Sequence, residues 1–191
     1  MNQEQALSLL KETKLVAILR GIPVKQATDI ATALYDGGVR VLEFTFDHDD
    51  PDCVAHNCQR IRAVKKIFGD EMVVGCGTAL TVQEVEASVE AGGQIVISPN
   101  VDVSVIAKTK ALGAISMPGA LTPTEIVMAY NAGADIVKLF PAGTLGVPYI
   151  KAVRGPLGYI PMSAVGGVRP ETIADFLNVG VCGFGVGGQL V

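Results

Sequence analysis

Three short apolar runs each carry one charged residue where a charge is costly. If these runs are strands, side chains alternate faces, so Val16, Ile18 and Arg20 share one face. By the same alternation Val41, Glu43 and Thr45 share a face, as do Ile136, Lys138 and Phe140. A charge among apolar neighbours needs a reason, because burying an unpaired ion is expensive. One reading is a structural Lys–Glu pair. The other is a reaction site: desolvation disfavours the ammonium form of Lys138, and a neutral amine near pH 7 attacks ketones. The product is a Schiff base, whose iminium is an electron sink for breaking or making an adjacent carbon–carbon bond. Glu43, in a partly apolar setting, is placed to move protons as a general acid/base.

Glycine pairs offer a second kind of chemistry. Gly166-Gly167 follows the seventh apolar run and Gly187-Gly188 the eighth, where exposed backbone N–H groups could meet an anion. Glycine pairs are also ordinary turn formers, so the spacing alone leaves both readings open. The acidic stretch Asp47-His48-Asp49-Asp50-Pro51-Asp52, with His56 beyond it, has no recognised metal-loop spacing and reads as a solvated turn before a helix. Cys76 has no histidine at a spacing that argues for its activation and reads as a packing residue.

The elements that must position these groups alternate along the chain. Short β-branched runs occur at 15–19, 39–44, 72–74, 95–97, 114–117, 136–140, 160–165 and 183–186. Amphipathic stretches lie between them at 24–36, 51–68, 81–91, 103–112, 122–131, 147–153 and 170–178, and a leading helix spans 2–12. Thr122-Pro123-Thr124-Glu125 supplies an N-cap, a proline at N1 and a glutamate at N3. Gly37-Gly38, Gly92-Gly93, Gly133 and Gly180 mark helix ends. The alternation predicts an α/β fold, a (β/α)₈ TIM barrel with an N-terminal extra helix, occupying residues 1–191 as a single domain. Arg20, Glu43 and Lys138 would then converge at its C-terminal mouth. Val191 falls just past the eighth run, so the final helix is expected to be absent or truncated.

Composition agrees with a buried core. Of 191 residues 49% are hydrophobic and 18% charged, which excludes a chain disordered for want of apolar surface. With 15 basic against 19 acidic residues, nothing in the chain suits phosphate backbones or anionic membranes. No apolar run approaches the roughly 20 residues of a membrane span, and residues 1–14 lack the apolar region of a signal peptide. A cytoplasmic protein with its four cysteines reduced is expected.

Seven motifs run in order over essentially the whole chain, beginning with Val16-Ala17-Ile18-Leu19-Arg20, Gly37-Gly38-Val39-Arg40-Val41-Leu42-Glu43-Phe44-Thr45 and Gly75-Cys76-Gly77-Thr78. They continue with Ile97-Ser98-Pro99-Asn100, Met117-Pro118-Gly119, Val137-Lys138-Leu139-Phe140-Pro141-Ala142 and Val165-Gly166-Gly167-Val168. Together they resemble the 2-keto-3-deoxy-6-phosphogluconate (KDPG) / 4-hydroxy-2-oxoglutarate (KHG) aldolase family of class I pyruvate aldolases. The resemblance implies that Lys138 forms the Schiff base and that Glu43 is the general acid/base. It further implies that Arg20 and Thr78 hold the substrate, that Pro99 and Phe140 line the pocket, and that Gly166, Gly167, Gly187 and Gly188 surround a distal phosphate. A homotrimer using no metal and no cofactor is implied as well. Two departures stand out: Asp47 occupies the position of an arginine that binds the pyruvyl carboxylate in many members, and Val165 and Gly188 stand where hydroxyl residues are frequent.

The expected reaction is reversible cleavage of KDPG to pyruvate and glyceraldehyde 3-phosphate, extending to 4-hydroxy-2-oxoglutarate, which yields pyruvate and glyoxylate. The galactonate-type isomer is the first alternative. Two rivals keep the fold: a phosphosugar isomerase or epimerase, which forms no covalent adduct, and a sugar-acid sensor, which is stabilised by ligand without turnover.

Overall fold

The computed structural model describes residues 1–188 and 190. Helices and strands alternate as α1 (Gln3–Thr13), β1 (Leu15–Leu19), α2 (Ala27–Asp36), β2 (Val41–Thr45), α3 (Cys53–Phe68), β3 (Val73–Gly77), α4 (Val82–Glu90) and β4 (Ile95–Ile97). They continue as α5 (Val103–Ala111), β5 (Ile115–Met117), β6 (Gly119–Ala120), α6 (Pro123–Asn131), β7 (Val137–Leu139), α7 (Ala142–Leu157), β8 (Met162–Val165), α8 (Pro170–Asn178) and β9 (Gly183–Val186). The strands pair in parallel in the order β5-β4-β3-β2-β1-β9-β8-β7-β6. The two ends of this sheet are consecutive in the chain, separated by Pro118 alone. They are therefore halves of one interrupted strand: the first pairs with β4 and the second with β7. The result is a nearly closed (β/α) barrel.

The interruption explains why nine strands stand among the described residues where the sequence suggests eight. Proline has no N–H for a ladder and breaks the run, yet its carbonyl still accepts the Lys138 N–H at 2.9 Å. Gly119 follows because the β4 side approaches closely there: a Cβ on it would lie 2.4 Å from the Pro99 carbonyl oxygen.

Alternation along the strands divides the apolar residues as expected. Val16, Val41, Val73, Ile95, Ile115, Ile136 and Val165 point into the barrel, and Ala6 and Leu10 of α1 join this interior cluster. The predicted extra helix thus plugs the N-terminal end. Outward residues meet the helices: Leu42, Phe44, Val74 and Cys76 pack with Ile61 and Val64 of α3. On the other side Leu139, Met162 and Phe184 pack with Ile126, Ile150 and Phe176. Each such large side chain, once buried, stabilises the fold by roughly 1.5–3 kcal/mol relative to exposure.

Local signals are realised too. Thr122 caps α6 in a reciprocal box with Glu125, with Pro123 opening the helix. α7 extends beyond the expected 147–153 at both ends: a first helical segment from Ala142 precedes a backbone break at Gly146 (φ 74°, ψ 170°), and the helix then continues to Leu157. The Phe140–Pro141 peptide is cis. The expectation about Val191 lies outside the described residues. No helix among them is long and apolar enough to cross a membrane.

Candidate active site

The C-terminal mouth of the barrel opens into a cavity of about 690 Å³. Arg20 at the end of β1, Glu43 on β2 and Lys138 on β7 all line it, so the three charges converge as the strand faces require. Thr78, Pro99 and Phe140 follow β3, β4 and β7 at its rim, and Gly166, Gly167, Gly187 and Gly188 line the side formed by β8 and β9. Every residue given a catalytic or substrate-binding role in the sequence reading therefore borders this one space.

Glu43 is 1% exposed, and burial pushes its carboxyl from 4.5 up to about 7, against the pull of Lys138 and Arg20. Its Oε2 is buried with no hydrogen-bond partner among the described residues. Lys138 is 8% exposed, and burial holds its amine below the ordinary lysine range, with Glu43 opposing and Arg20 reinforcing the shift. Its Nζ stands 5.0 Å from the centre of the Phe140 ring. Among the described residues neither Lys138 nor Glu43 enters an ion pair within 4.0 Å. A purely structural Lys–Glu bridge is thus not what the barrel contains. The amine and the carboxyl face the cavity separately, each desolvated, which suits one to attack and the other to exchange protons near neutrality.

The loops bear their own signs of a site. Thr78 has φ 59°, a conformation a β-branched residue adopts at a cost of about 1–3 kcal/mol and one that clusters at functional sites. Its loop is held by Glu84, which accepts from the N–H groups of Leu80 at 2.7 Å and Thr81 at 2.9 Å. Gly166 and Gly167 have φ 84° and 73°, values open to glycine. The Gly166 carbonyl accepts from Gly143 at 2.7 Å, which fixes this bare loop against the start of α7.

The acidic stretch stays outside the cavity. His48 Nε2 lies 2.7 Å from Glu84 Oε1, and His56 Nδ1 lies 2.7 Å from Asp50 Oδ2. Asp47 accepts from the Asp49 N–H at 3.3 Å, within its own turn. No group of three potential metal ligands gathers among the described residues. Cys76 is fully buried, and burial pushes its thiol up to about 12, as suits a packing residue.

Sequence reasoning missed the apolar wall. Ile22, Val168 and Val186 line the cavity, and their types signal only core. Thr45 lines it as well, and its place on the Glu43 face was the available signal.

The family model described as KDPG and KHG aldolase matches residues 7–191. The chain belongs to this aldolase family. It is 37% identical over 180 residues to a probable 2-dehydro-3-deoxy-6-phosphogalactonate aldolase of Rhizobium meliloti, covering 94% of this chain and 82% of that one. A KHG/KDPG aldolase of Escherichia coli is 33% identical over 90% of this chain and 78% of its own. A solved structure described as native KDPGal superposes with a TM-score of 0.85 at 35% identity, covering 93% of this aldolase and 84% of its counterpart. The protein is thus an enzyme of the carbon–carbon lyase type, and its substrates are small molecules.

Proposed function

We propose that this aldolase cleaves a 2-keto-3-deoxy-6-phospho sugar acid between C3 and C4 to give pyruvate and glyceraldehyde 3-phosphate. The observation that carries the proposal is the desolvated Lys138 amine facing the same cavity as the Glu43 carboxyl, without an ion pair between them. The neutral amine of Lys138 adds to the C2 ketone and water leaves, forming an iminium. Ionised Glu43 takes the proton of the C4 hydroxyl as the C3–C4 bonding pair moves into the iminium, releasing the aldehyde and an enamine. Protonated Glu43 then returns its proton to C3, and hydrolysis frees pyruvate and the lysine.

In this reading Arg20 and Thr78 hold the carboxylate end, and Pro99 and Phe140 wall the reacting carbons. The backbone N–H groups of Gly166, Gly167, Gly187 and Gly188 receive the distal phosphate. Asp47, outside the cavity, takes no part. The enzyme acts as a cytoplasmic homotrimer; side chains such as Met128 and Tyr159, exposed by 47% and 64%, supply apolar surface for association. A second reading, the galactonate-type isomer as substrate, is favoured by the higher identity to the Rhizobium relative, 37% against 33%.

Intact-protein mass after incubation with pyruvate and borohydride tests the chemistry. A reduced pyruvyl adduct is expected on the native chain and not on Lys138→Ala. Absence of an adduct on the native chain would remove the Schiff-base mechanism. Pyruvate release from each of the two phosphorylated epimers then decides the configuration.

A further inference from the structure

Gly77 ends β3, registers with Thr45 of β2, and points to the same face as Val73 inside the barrel. A Cβ built on it would lie 2.0 Å from Glu43 Oε2, 2.5 Å from its Cδ and 3.1 Å from its Oε1. The Glu43 carboxyl therefore occupies the volume that any side chain at position 77 would fill. The backbone does not demand glycine there, since Gly77 lies outside the left-handed region. Gly75, two residues earlier, is different: a Cβ on it would lie 1.8 Å from the Ile95 carbonyl oxygen, in the rigid β3–β4 ladder.

Buried carboxyl oxygens are ordinarily anchored by hydrogen bonds. Glu43 Oε2 has none among the described residues. The recess beside Gly77 accommodates this oxygen, leaving the carboxyl uncommitted and able to exchange protons with a substrate. Lys138 stands on β7, four strands away from β2 through β1, β9 and β8.

We infer that Gly77 is a positioning residue for the proton-transfer steps: its missing side chain keeps open the recess from which the Glu43 carboxyl meets the substrate. This rests on the roles given above to Lys138 and Glu43. A methyl group at position 77 displaces the flexible end of Glu43 and leaves the lysine chemistry alone.

Pyruvate itself is the probe, because exchange of its methyl protons in D₂O needs both the Schiff base and a base at C3. Gly77→Ala is expected to give the borohydride-trapped adduct as the native chain does, while methyl exchange falls by at least about 100-fold, the usual worth of a general acid/base. In a Glu43→Gln background Gly77→Ala should cost nothing further, because it acts only through Glu43. Exchange by Gly77→Ala within about threefold of native, or an equal loss in the Glu43→Gln background, overturns the proposal. Should Gly77→Ala alone fold poorly, Gly77→Ala with Glu43→Asp decides: the shorter carboxyl withdraws from the added methyl, so the methyl costs Glu43→Asp less than it costs the native chain. Equal costs overturn the proposal. A native chain without adduct would remove the underlying mechanism; a native chain with adduct and an unaffected Gly77→Ala would remove only the role of Gly77.

Discussion

Glu43→Gln removes an ionisation while keeping the shape of the side chain, so its effect on stability must depend on pH. The carboxyl is buried, and burial raises it from 4.5 to about 7 in the folded chain, the attraction of Lys138 and Arg20 already included. The folded state thus holds this proton more tightly than the unfolded state does. The associated stability is fully present below the unfolded value of 4.5 and is lost as pH rises through about 7. A shift of that size, at 1.36 kcal/mol per unit, corresponds to about 3 kcal/mol, a large share of the ~5–15 kcal/mol that holds a domain folded. Glutamine escapes this loss. Relative to its value near pH 4.5, the stability difference should swing by about 3 kcal/mol in favour of the variant by about pH 8, or roughly 6–12 °C in Tm for a chain of this size. Urea unfolding of both proteins across this range, at constant ionic strength, gives the difference directly and cancels every group that titrates alike in the two. The variant should also lose turnover, an instance of a site maintained at the expense of stability. Parallel stability curves would refute the reasoning, since they would mean Glu43 titrates alike in the folded and unfolded chain and carries no net burial penalty.

Two further outcomes test the scaffold. Gly119→Ala should destabilise the barrel by about 1–3 kcal/mol in urea unfolding, because its methyl meets the Pro99 backbone, which cannot turn aside. Glu84→Ala should cost about 1–3 kcal/mol by stranding the Leu80 and Thr81 N–H groups, with Glu84→Gln costing less, and should raise the pyruvate KM more than it lowers kcat because the Thr78 loop is loosened.

What the sequence made legible was whatever depends on alternation and local chemistry. The strand faces placed Arg20, Glu43 and Lys138 on the inward side, and the capping box at Thr122 and the helix-ending glycines needed only neighbouring residues. The fifth strand was half hidden because Pro118 breaks its pattern, although backbone bonds on either side carry it through to Ala120. The first turn of α7 was masked by Gly146 and Pro148, which read locally as loop. Gly77 against Glu43 was beyond reach, since it depends on a strand remote in sequence that packs beside it, and nothing in the residue type of Thr78 signals its positive φ. Asp47 illustrates the reverse: its chemistry departs from the family pattern, and only the fold shows that its carboxylate is engaged within its own turn.

The cavity itself is made by subtraction. A barrel of this kind is ordinarily filled by layers of side chains, and the lower interior here holds Val16, Val41, Val73 and Ile136. Above it three strands contribute a charge, β1, β2 and β7, and three contribute glycine, β3, β8 and β9 with the loops that follow them. Glycine weakens a strand by roughly 0.5–1 kcal/mol relative to alanine, so emptiness at the mouth has a cost that the filled outer faces must offset. The floor matters equally. Ala6 and Leu10 of α1 pack into the interior cluster that also holds Ile136, two residues from Lys138 on the same face, so apolar material rather than water lies beneath the amine. The desolvation that lowers the lysine therefore begins at the opposite end of the barrel, with a helix that never approaches the substrate.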